Sequence, residues 1–442
     1  MTHHPHEPYA AVLAGRAVTV GGFDLRMAKA CVPQKVEADR SPADCMSVQT
    51  AVVLAAGEGT RLRPLTRNRP KPMLPAANRP ILEHVLDALV DASVRHIVLV
   101  VGYRRERVQE HFGPTYRDVS LEYVVQGKQL GSGHALLQAR EAVDGPVLVV
   151  NGDRVIEASS VRDVAGAYEE GSAAAAIAVL EHPDTGQYGA VTLRDREVAD
   201  IVEKPDTDEY RLINGGIYAF SPSIFEAIEE TPREAGELAL TDTLSRLLDS
   251  ERVRGVHTQG LWVDATYPWD LLAVADEVLA RGRVAEPLRG DRVWVHDEAT
   301  VHPDATLRGP VVVGPDSEIG PGAVLGPTVS LGGNVTVGPN ATVERSVVDI
   351  DARVDAGSTL RDAVLGGGVH LGAATTIPGG PADVRVGSRV FESQRLGAVV
   401  ADRTRVGGGA SFAPGTLVGP NVTVGPGVHV TGTVSEGAEV VR

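Results

Sequence analysis

Apolar positions along this 442-residue chain follow two rhythms, one before and one after about residue 285. In the first stretch, short apolar runs alternate with helical stripes. Ala51–Ala56 and Pro146–Val150 are unbroken runs of the kind that fill parallel strands covered on both faces. His96–Val101 and Leu121–Val125 predict two further strands, and Val198–Val202 another. Ile81, Leu82, Val85, Leu86 and Leu89 recur at helical spacing, which predicts a helix capped by Asn78 with Pro80 near its start. A second helix is predicted over about residues 133–142. Strand and helix in alternation specify an α/β fold with a doubly wound, mostly parallel sheet. Ligands on such sheets bind at the carboxyl ends of the strands.

From about residue 293 an apolar residue recurs every sixth position: Val295, Val301, Leu307, Val313, Ile319, Leu325, Leu331, Val337, Val343. The series slips through Val348, Val354, Leu360, Leu365, Leu371 and Ile377, then resumes as Val400, Val406, Phe412, Val418, Val424 and Val430. Neither a helix nor an amphipathic strand has a period of six. A hexapeptide repeat fits a parallel β-helix, each repeat forming one face of a triangular coil with its apolar residue on the axis. The interruption at 378–399 is too long for a corner and is expected to project as a loop. Solenoids also assemble through their edges and faces, so a homo-oligomer built through this half is expected. The domain reading is therefore a sheet domain over 46–285 and a β-helix over 286–442. Residues 1–45 are compositionally unlike both, hold Cys31 and Cys45, and precede Met46; they are read as an extension, with Met46 as the natural start.

Composition narrows the function. A net charge of −16 excludes nonspecific binding to nucleic acid or to an anionic membrane surface, though not a local phosphate site. No apolar run reaches membrane-spanning length and no signal peptide is evident, so a cytoplasmic protein is expected. The residues after 45 lack cysteine, which removes a disulfide framework.

The first strand opens into Gly57-Glu58-Gly59-Thr60-Arg61, and Pro70-Lys71-Pro72 follows closely. Glycines let backbone N–H groups approach a polyphosphate, and Arg61 and Lys71 add two positive charges. Lysine occurs only five times in the chain, so its retention at Lys71 suggests a compact point charge. Asp153 and Asp264 each close a strand, and two carboxylates beside a phosphate site suit Mg²⁺. Glu203-Lys204, Asn214 and Tyr188-Gly189 offer groups for a sugar phosphate, while Gln126 and Gly131 could read a base edge. Lys128 reads as a solvated loop residue. No Ser/His/Asp triad, cysteine nucleophile or zinc spacing is present.

These motifs resemble the sugar-1-phosphate nucleotidylyltransferases, whose signature appears here as Gly57–Arg61 with Pro70-Lys71-Pro72. The resemblance extends through Asn151-Gly152-Asp153, Glu203-Lys204-Pro205, Asn214-Gly215-Gly216 and Trp262-Val263-Asp264, covering about residues 50–275. With the repeats behind it, the chain is similar to archaeal-type bifunctional UDP-N-acetylglucosamine pyrophosphorylase/glucosamine-1-phosphate acetyltransferases and to glucose-1-phosphate thymidylyltransferases. The resemblance implies a Rossmann-like nucleotidyltransferase domain followed by a left-handed β-helix. It also implies a nucleoside triphosphate and a sugar 1-phosphate as substrates, Mg²⁺ as cofactor, and in-line displacement at the α-phosphorus. Carried over by motif, Arg61 and Lys71 act in catalysis; Leu54, Ala56, Gly57, Gly59, Thr60, Gln126 and Gly131 hold the nucleotide. Gly189, Glu203, Lys204 and Asn214 hold the sugar phosphate, and Asp153 and Asp264 the metal. Gln129–Ala135 looks more like the uridylyl and thymidylyl branches, with glucose- or N-acetylglucosamine-1-phosphate as the sugar. The alternatives are a mannose-1-phosphate guanylyltransferase, an enzyme that also acetylates glucosamine-1-phosphate through its coil, and a non-catalytic nucleotide-sugar sensor. Against acetyl transfer, no lysine follows Lys204, and His370 is read as a corner residue of the coil.

Overall fold

The structure is a computed structural model that describes residues 47–171, 173–207 and 209–441. Met46 and the segment before it, with both cysteines, lie outside the described residues.

The sheet strands are β1 (Thr50–Ala55), β2 (His96–Val101), β3 (Val119–Val125), β4 (Val147–Asn151), β5 (Ala175–Glu181), β6 (Gly189–Arg194), β7 (Glu197–Glu203), β8 (Leu212–Phe220) and β9 (Val253–His257). Their order across the sheet is β6-β7-β9-β5-β8-β4-β1-β2-β3, with a two-residue strand, Thr115–Tyr116, completing the edge. The four strands β4-β1-β2-β3 are parallel, and β8 runs antiparallel between β4 and β5. The chain steps outward from β1 through β2 to β3, then returns to lay β4 on the other side of β1. That reversal opens a crevice beyond the carboxyl ends of β1 and β4.

The predicted stripe forms the helix Ile81–Asp91, with all five apolar positions buried. Asn78 does not cap it: its amide donates to Glu286, and Pro80 takes the cap position. The second predicted helix is shorter, Ser132–Gln138, and gives way to a 3-10 turn at Arg140–Ala142.

The repeats wind into three sheets of nine, eight and seven short strands, parallel throughout except for the antiparallel first strand Leu288–Gly290, and so form a parallel β-helix. Val311 pairs with Val329 eighteen residues on, whereas Val329 pairs with Ser346 seventeen on. One residue lost per turn is the physical cause of the slip in the six-residue series. Val313, Leu325, Leu331, Val343 and Leu365 line a continuous apolar axis.

One face of the coil is also apolar outward. Val312, Val347, Val364, Val399 and Leu417 join Leu62, Leu74, Ile81, Leu271 and Leu279 of the sheet half in one buried cluster. The segment between the glycine loop and the first helix rests on this face, where the Ser330 hydroxyl donates to Ala77 O. The interruption is not a free loop but a hairpin, Pro381–Val386 with Arg389–Arg395. Phe391 packs on Tyr267 and Trp269 at ring-centroid distances of 4.4 and 5.2 Å, and Val384 is buried beneath. Among the described residues no helix is long and apolar enough to cross a membrane.

Candidate active site

β1 ends at Ala55, and the backbone turns through Gly59 with φ of 71°. The Thr66 hydroxyl donates to Gly59 O at 2.9 Å, pinning the turn. A Cβ on Gly59 would lie 2.7 Å from the Lys71 Cβ, so glycine is needed here for close approach as well as for φ. A Cβ on Gly57 would meet nothing, because that glycine faces the open crevice.

Lys71 Nζ lies 2.7 Å from an Asp153 oxygen and 2.9 Å from an Asp264 oxygen. Asp153 comes directly off β4 by way of Gly152, whose N–H donates to Leu54 O. Asp264 ends a short strand, Trp262–Asp264, that pairs antiparallel with Arg154–Ile156, setting Asp264 opposite Arg154. This ribbon brings residues more than a hundred positions apart to one ammonium. Burial works against the Lys71 charge, but Asp153 and Asp264 outweigh it and hold the ammonium protonated above its ordinary range. Burial likewise opposes Asp153 ionisation, and Lys71 and Arg154 overcome it, so that its carboxyl titrates below the usual value.

The two carboxylates converge on a single cationic point and offer hard oxygen donors. That set fits a divalent ion which takes its remaining ligands from substrate phosphates and water. Among the described residues no third His, Cys, Asp or Glu joins them.

All fifteen positions singled out in the sequence line one cavity of about 550 Å³. Leu54, Ala56, Gly57, Gly59, Thr60 and Arg61 form one wall, with Gln126 and Gly131 at one end of it. Gln126 Nε2 donates to Gly131 O at 3.1 Å and faces His134 Nδ1 at 3.0 Å. Gly189, Glu203 and Asn214 line the cavity from β6, β7 and β8, and Lys204 lines it from the residue just after β7. Lys204 pairs with its neighbour Glu203 at 2.7 Å. The Asn214 amide is engaged internally, donating to the Tyr218 hydroxyl and accepting from Gly216 N–H. Lys128 is exposed outside the cavity. His370 lies on a strand of the coil rather than at a corner, with Nε2 3.0 Å from Asp355.

Among the other lining residues, three that the sequence reading assigned no individual role stand out. Arg154 lies 3.8 Å from Asp264, stacks over Trp262 and Tyr188, and leaves its buried Nε without a hydrogen bond. Its signal was a basic residue directly after a strand-end aspartate. Thr241, 8% exposed, has a buried hydroxyl with no hydrogen-bond partner. It stands against Gly189, where an added Cβ would come within 3.1 Å of its methyl group and 3.3 Å of Glu203 Oε2. An unmet hydroxyl beside a carboxylate is suited to a polyol ligand. Gln129 Nε2 donates to Ala56 O at 3.1 Å and closes one side of the glycine loop.

The family model described as "Nucleotidyl transferase" matches residues 50–281, and one described as "GMPPB C-terminal domain" matches residues 307–406. The chain is 38% identical over 388 residues to "Bifunctional protein GlmU" of Methanococcus maripaludis, spanning 84% of this chain and 92% of that protein. It is 36% identical over 225 residues to "UTP–glucose-1-phosphate uridylyltransferase AglF" of Haloferax volcanii, spanning 50% of this chain and 92% of that protein. A solved structure of a putative glucose-1-phosphate thymidylyltransferase from Bacillus anthracis matches with a TM-score of 0.49 and 25% identity, covering 55% of this chain and 97% of its own.

Proposed function

We propose, on the premise that this chain belongs to the nucleotidyl transferase family, that it is a sugar-1-phosphate nucleotidylyltransferase. It joins a sugar 1-phosphate to the nucleotidyl group of a nucleoside triphosphate and releases pyrophosphate. The observation that carries this reading is Lys71 held between Asp153 and Asp264 at the edge of a cavity walled by the glycine loop.

A phosphate oxygen of the sugar 1-phosphate attacks the α-phosphorus in line. The new P–O bond forms as the bond to the β-phosphate breaks, and pyrophosphate leaves with the electron pair. The nucleophile is already an anion, which explains why no general base is needed. Catalysis is positioning and charge neutralisation. Gly57 and Gly59 let backbone N–H groups reach the triphosphate, while Arg61 and Lys71 meet the charge that develops on its oxygens. Glu203, Lys204 and the unmet Thr241 hydroxyl orient the sugar phosphate from the opposite wall. Asp153 and Asp264 would hold a divalent ion, for which we propose Mg²⁺; when bound, it neutralises phosphate charge.

UTP or dTTP with glucose- or N-acetylglucosamine-1-phosphate are the favoured pairs, and the name of the Haloferax volcanii relative supports UTP with glucose-1-phosphate. The word "bifunctional" in the name of the Methanococcus maripaludis relative favours one second reading, a further acetyl transfer by the coil. For the coil itself we propose assembly of a cytoplasmic homo-oligomer. Pyrophosphate release with Mg²⁺ tests the first reading across UTP, dTTP and GTP against glucose-, N-acetylglucosamine- and mannose-1-phosphate. Release from one preferred pair, abolished in Lys71→Ala, is expected; silence across the grid would overturn it. Acetyl-CoA consumption with glucosamine-1-phosphate tests the second.

A further inference from the structure

Among the described cations that line the transfer cavity, Arg154 is the one to which the proposed reaction gives no task. Its Nε lies 4.0 Å from one Asp153 oxygen and 3.8 Å from one Asp264 oxygen. Lys71 Nζ takes the other oxygen of each carboxylate, at 2.7 and 2.9 Å. Both carboxylates are therefore shared between the same two cations, through opposite oxygens.

Arg154 is walled in where it stands. Its guanidinium lies 5.0 Å from the ring centre of Trp262 and 5.5 Å from that of Tyr188, and those two rings meet edge to face at 5.4 Å. Trp262 Nε1 donates to Gly215 O at 2.8 Å, which fixes the indole. Arg154 Nη1 donates to Asn214 O at 3.3 Å. Room for this nitrogen is made at Gly216, where φ is 76° and an added Cβ would come within 2.8 Å of it. A guanidinium packed against two rings has nowhere to withdraw, and it does not shed its proton. The Lys71 ammonium, on a flexible stem, is free to follow a phosphate.

Two cations here balance two carboxylates. With Lys71 turned to the triphosphate, Arg154 stays behind and leaves the carboxylate pair a single net negative charge. Such a pair attracts a divalent ion only modestly, and substrate phosphates must supply the rest of the attraction.

We infer that Arg154 is a positioning residue acting through Asp153 and Asp264: it faces their outer oxygens, and its fixed charge keeps the affinity of the pair for a divalent ion low until a polyphosphate is bound. The inference rests on the transferase reading for the ligands of this cavity. Carboxylates restrained in this way release a metal–pyrophosphate complex more readily than an unbalanced pair.

The test is titration of the full chain with Mn²⁺ alone, without nucleotide and at fixed ionic strength, read from the electron paramagnetic resonance signal of the free ion. Wild type is expected to bind Mn²⁺ weakly, and Asp153→Asn to abolish that binding. Arg154→Met should bind at least about tenfold more tightly than wild type, because a charge facing both carboxylates is gone. Arg154→Lys restores the charge and should return the affinity to within about threefold of wild type. Arg154→Gln repeats the measurement if the methionine variant does not fold. Arg140→Gln removes an equal charge from exposed pairs with Glu226 and Glu229 outside the cavity, and should leave the affinity unchanged. A purely structural role predicts the opposite sign, since loosened carboxylates would bind Mn²⁺ more weakly. Weaker or unchanged binding in the Arg154→Met and Arg154→Gln variants would overturn the proposal, as would an equal gain in Arg140→Gln. Pyrophosphate release is measured on the same samples. Silence there with the tightening intact would count against the transferase reading and leave this one standing; release without tightening would overturn this one alone.

Discussion

Arg69 and Asp402 are 333 positions apart in the sequence and 2.6 Å apart in the structure. The same guanidinium also grips Asp349, and both carboxylates belong to the coil. Arg69 sits two residues before Lys71, so the stretch that delivers the Lys71 ammonium to Asp153 and Asp264 is fastened to the β-helix. Removing one member of a buried, hydrogen-bonded ion pair leaves its partners uncompensated and costs roughly 3–5 kcal/mol. Arg69→Ala is expected to destabilise by that order in urea unfolding and to lower kcat by moving Lys71. Asp349→Asn with Asp402→Asn, added to Arg69→Ala, should restore part of the stability. Failure of the added pair to do so would show that the carboxylates were never strained by the loss.

In the proposed reaction Lys71 meets the charge that develops in the transition state. Lys71→Met keeps the length of the side chain and removes the ammonium between Asp153 and Asp264. We expect kcat to fall by on the order of 10²–10³, with a smaller change in KM. A comparable loss confined to KM would mean that Lys71 only binds substrate.

Gly59 is crowded by the Lys71 side chain and held at φ of 71°. Gly59→Ala carries the left-handed penalty of about 1–2 kcal/mol and pushes Lys71 aside. At least a tenfold loss of kcat, with only a few degrees lost in melting temperature, is expected. Full activity would show that the loop tolerates a displaced lysine.

Asp270 accepts hydrogen bonds from the Thr266 and Tyr267 N–H groups just after the strand that ends at Asp264, yet burial pushes its carboxyl up to about 6. With an ordinary value of 3.8, the folded chain keeps a proton between these limits that the unfolded chain has lost. Stability therefore falls as pH rises from about 4 through 6. Asp270→Asn keeps an acceptor and removes the ionisation. It should leave stability near pH 3.5 unchanged and raise it at pH 7 by up to about 3 kcal/mol. Parallel pH profiles for the two proteins, read from urea midpoints, would contradict this.

The site was legible in the sequence where a residue type was scarce or a strand ended. Lys71 stood out among five lysines, and Asp153 and Asp264 closed apolar strands. The coil announced itself by period. The contacts between the halves left no such trace. Arg69, Asp349 and Asp402 are ordinary charged residues whose meeting depends on tertiary packing, and Asn78 was misread because Glu286 competes for its amide. The outward row at Val312, Val347, Val364 and Val399 had a signal that could have been used: each is an apolar residue directly before an axial one, where most turns carry polar residues. The hairpin likewise showed alternation at Ala382, Val384 and Val386, the pattern of a strand with one covered face.

The two carboxylates that hold Arg69 come from turns of the coil separated by exactly one intervening turn, marked by the register Val348–Leu365–Val400. On that middle turn Gly367 leaves room, since a Cβ there would approach Arg69 to 3.1 Å. Neighbouring turns are stacked about 4.8 Å apart, so the coil serves as a ruler with the arginine fork as its gauge. Whole turns can be added beyond either end without disturbing the fit. A single turn inserted between Asp349 and Asp402 would carry one carboxylate out of reach, and with it the lysine two residues further along the chain.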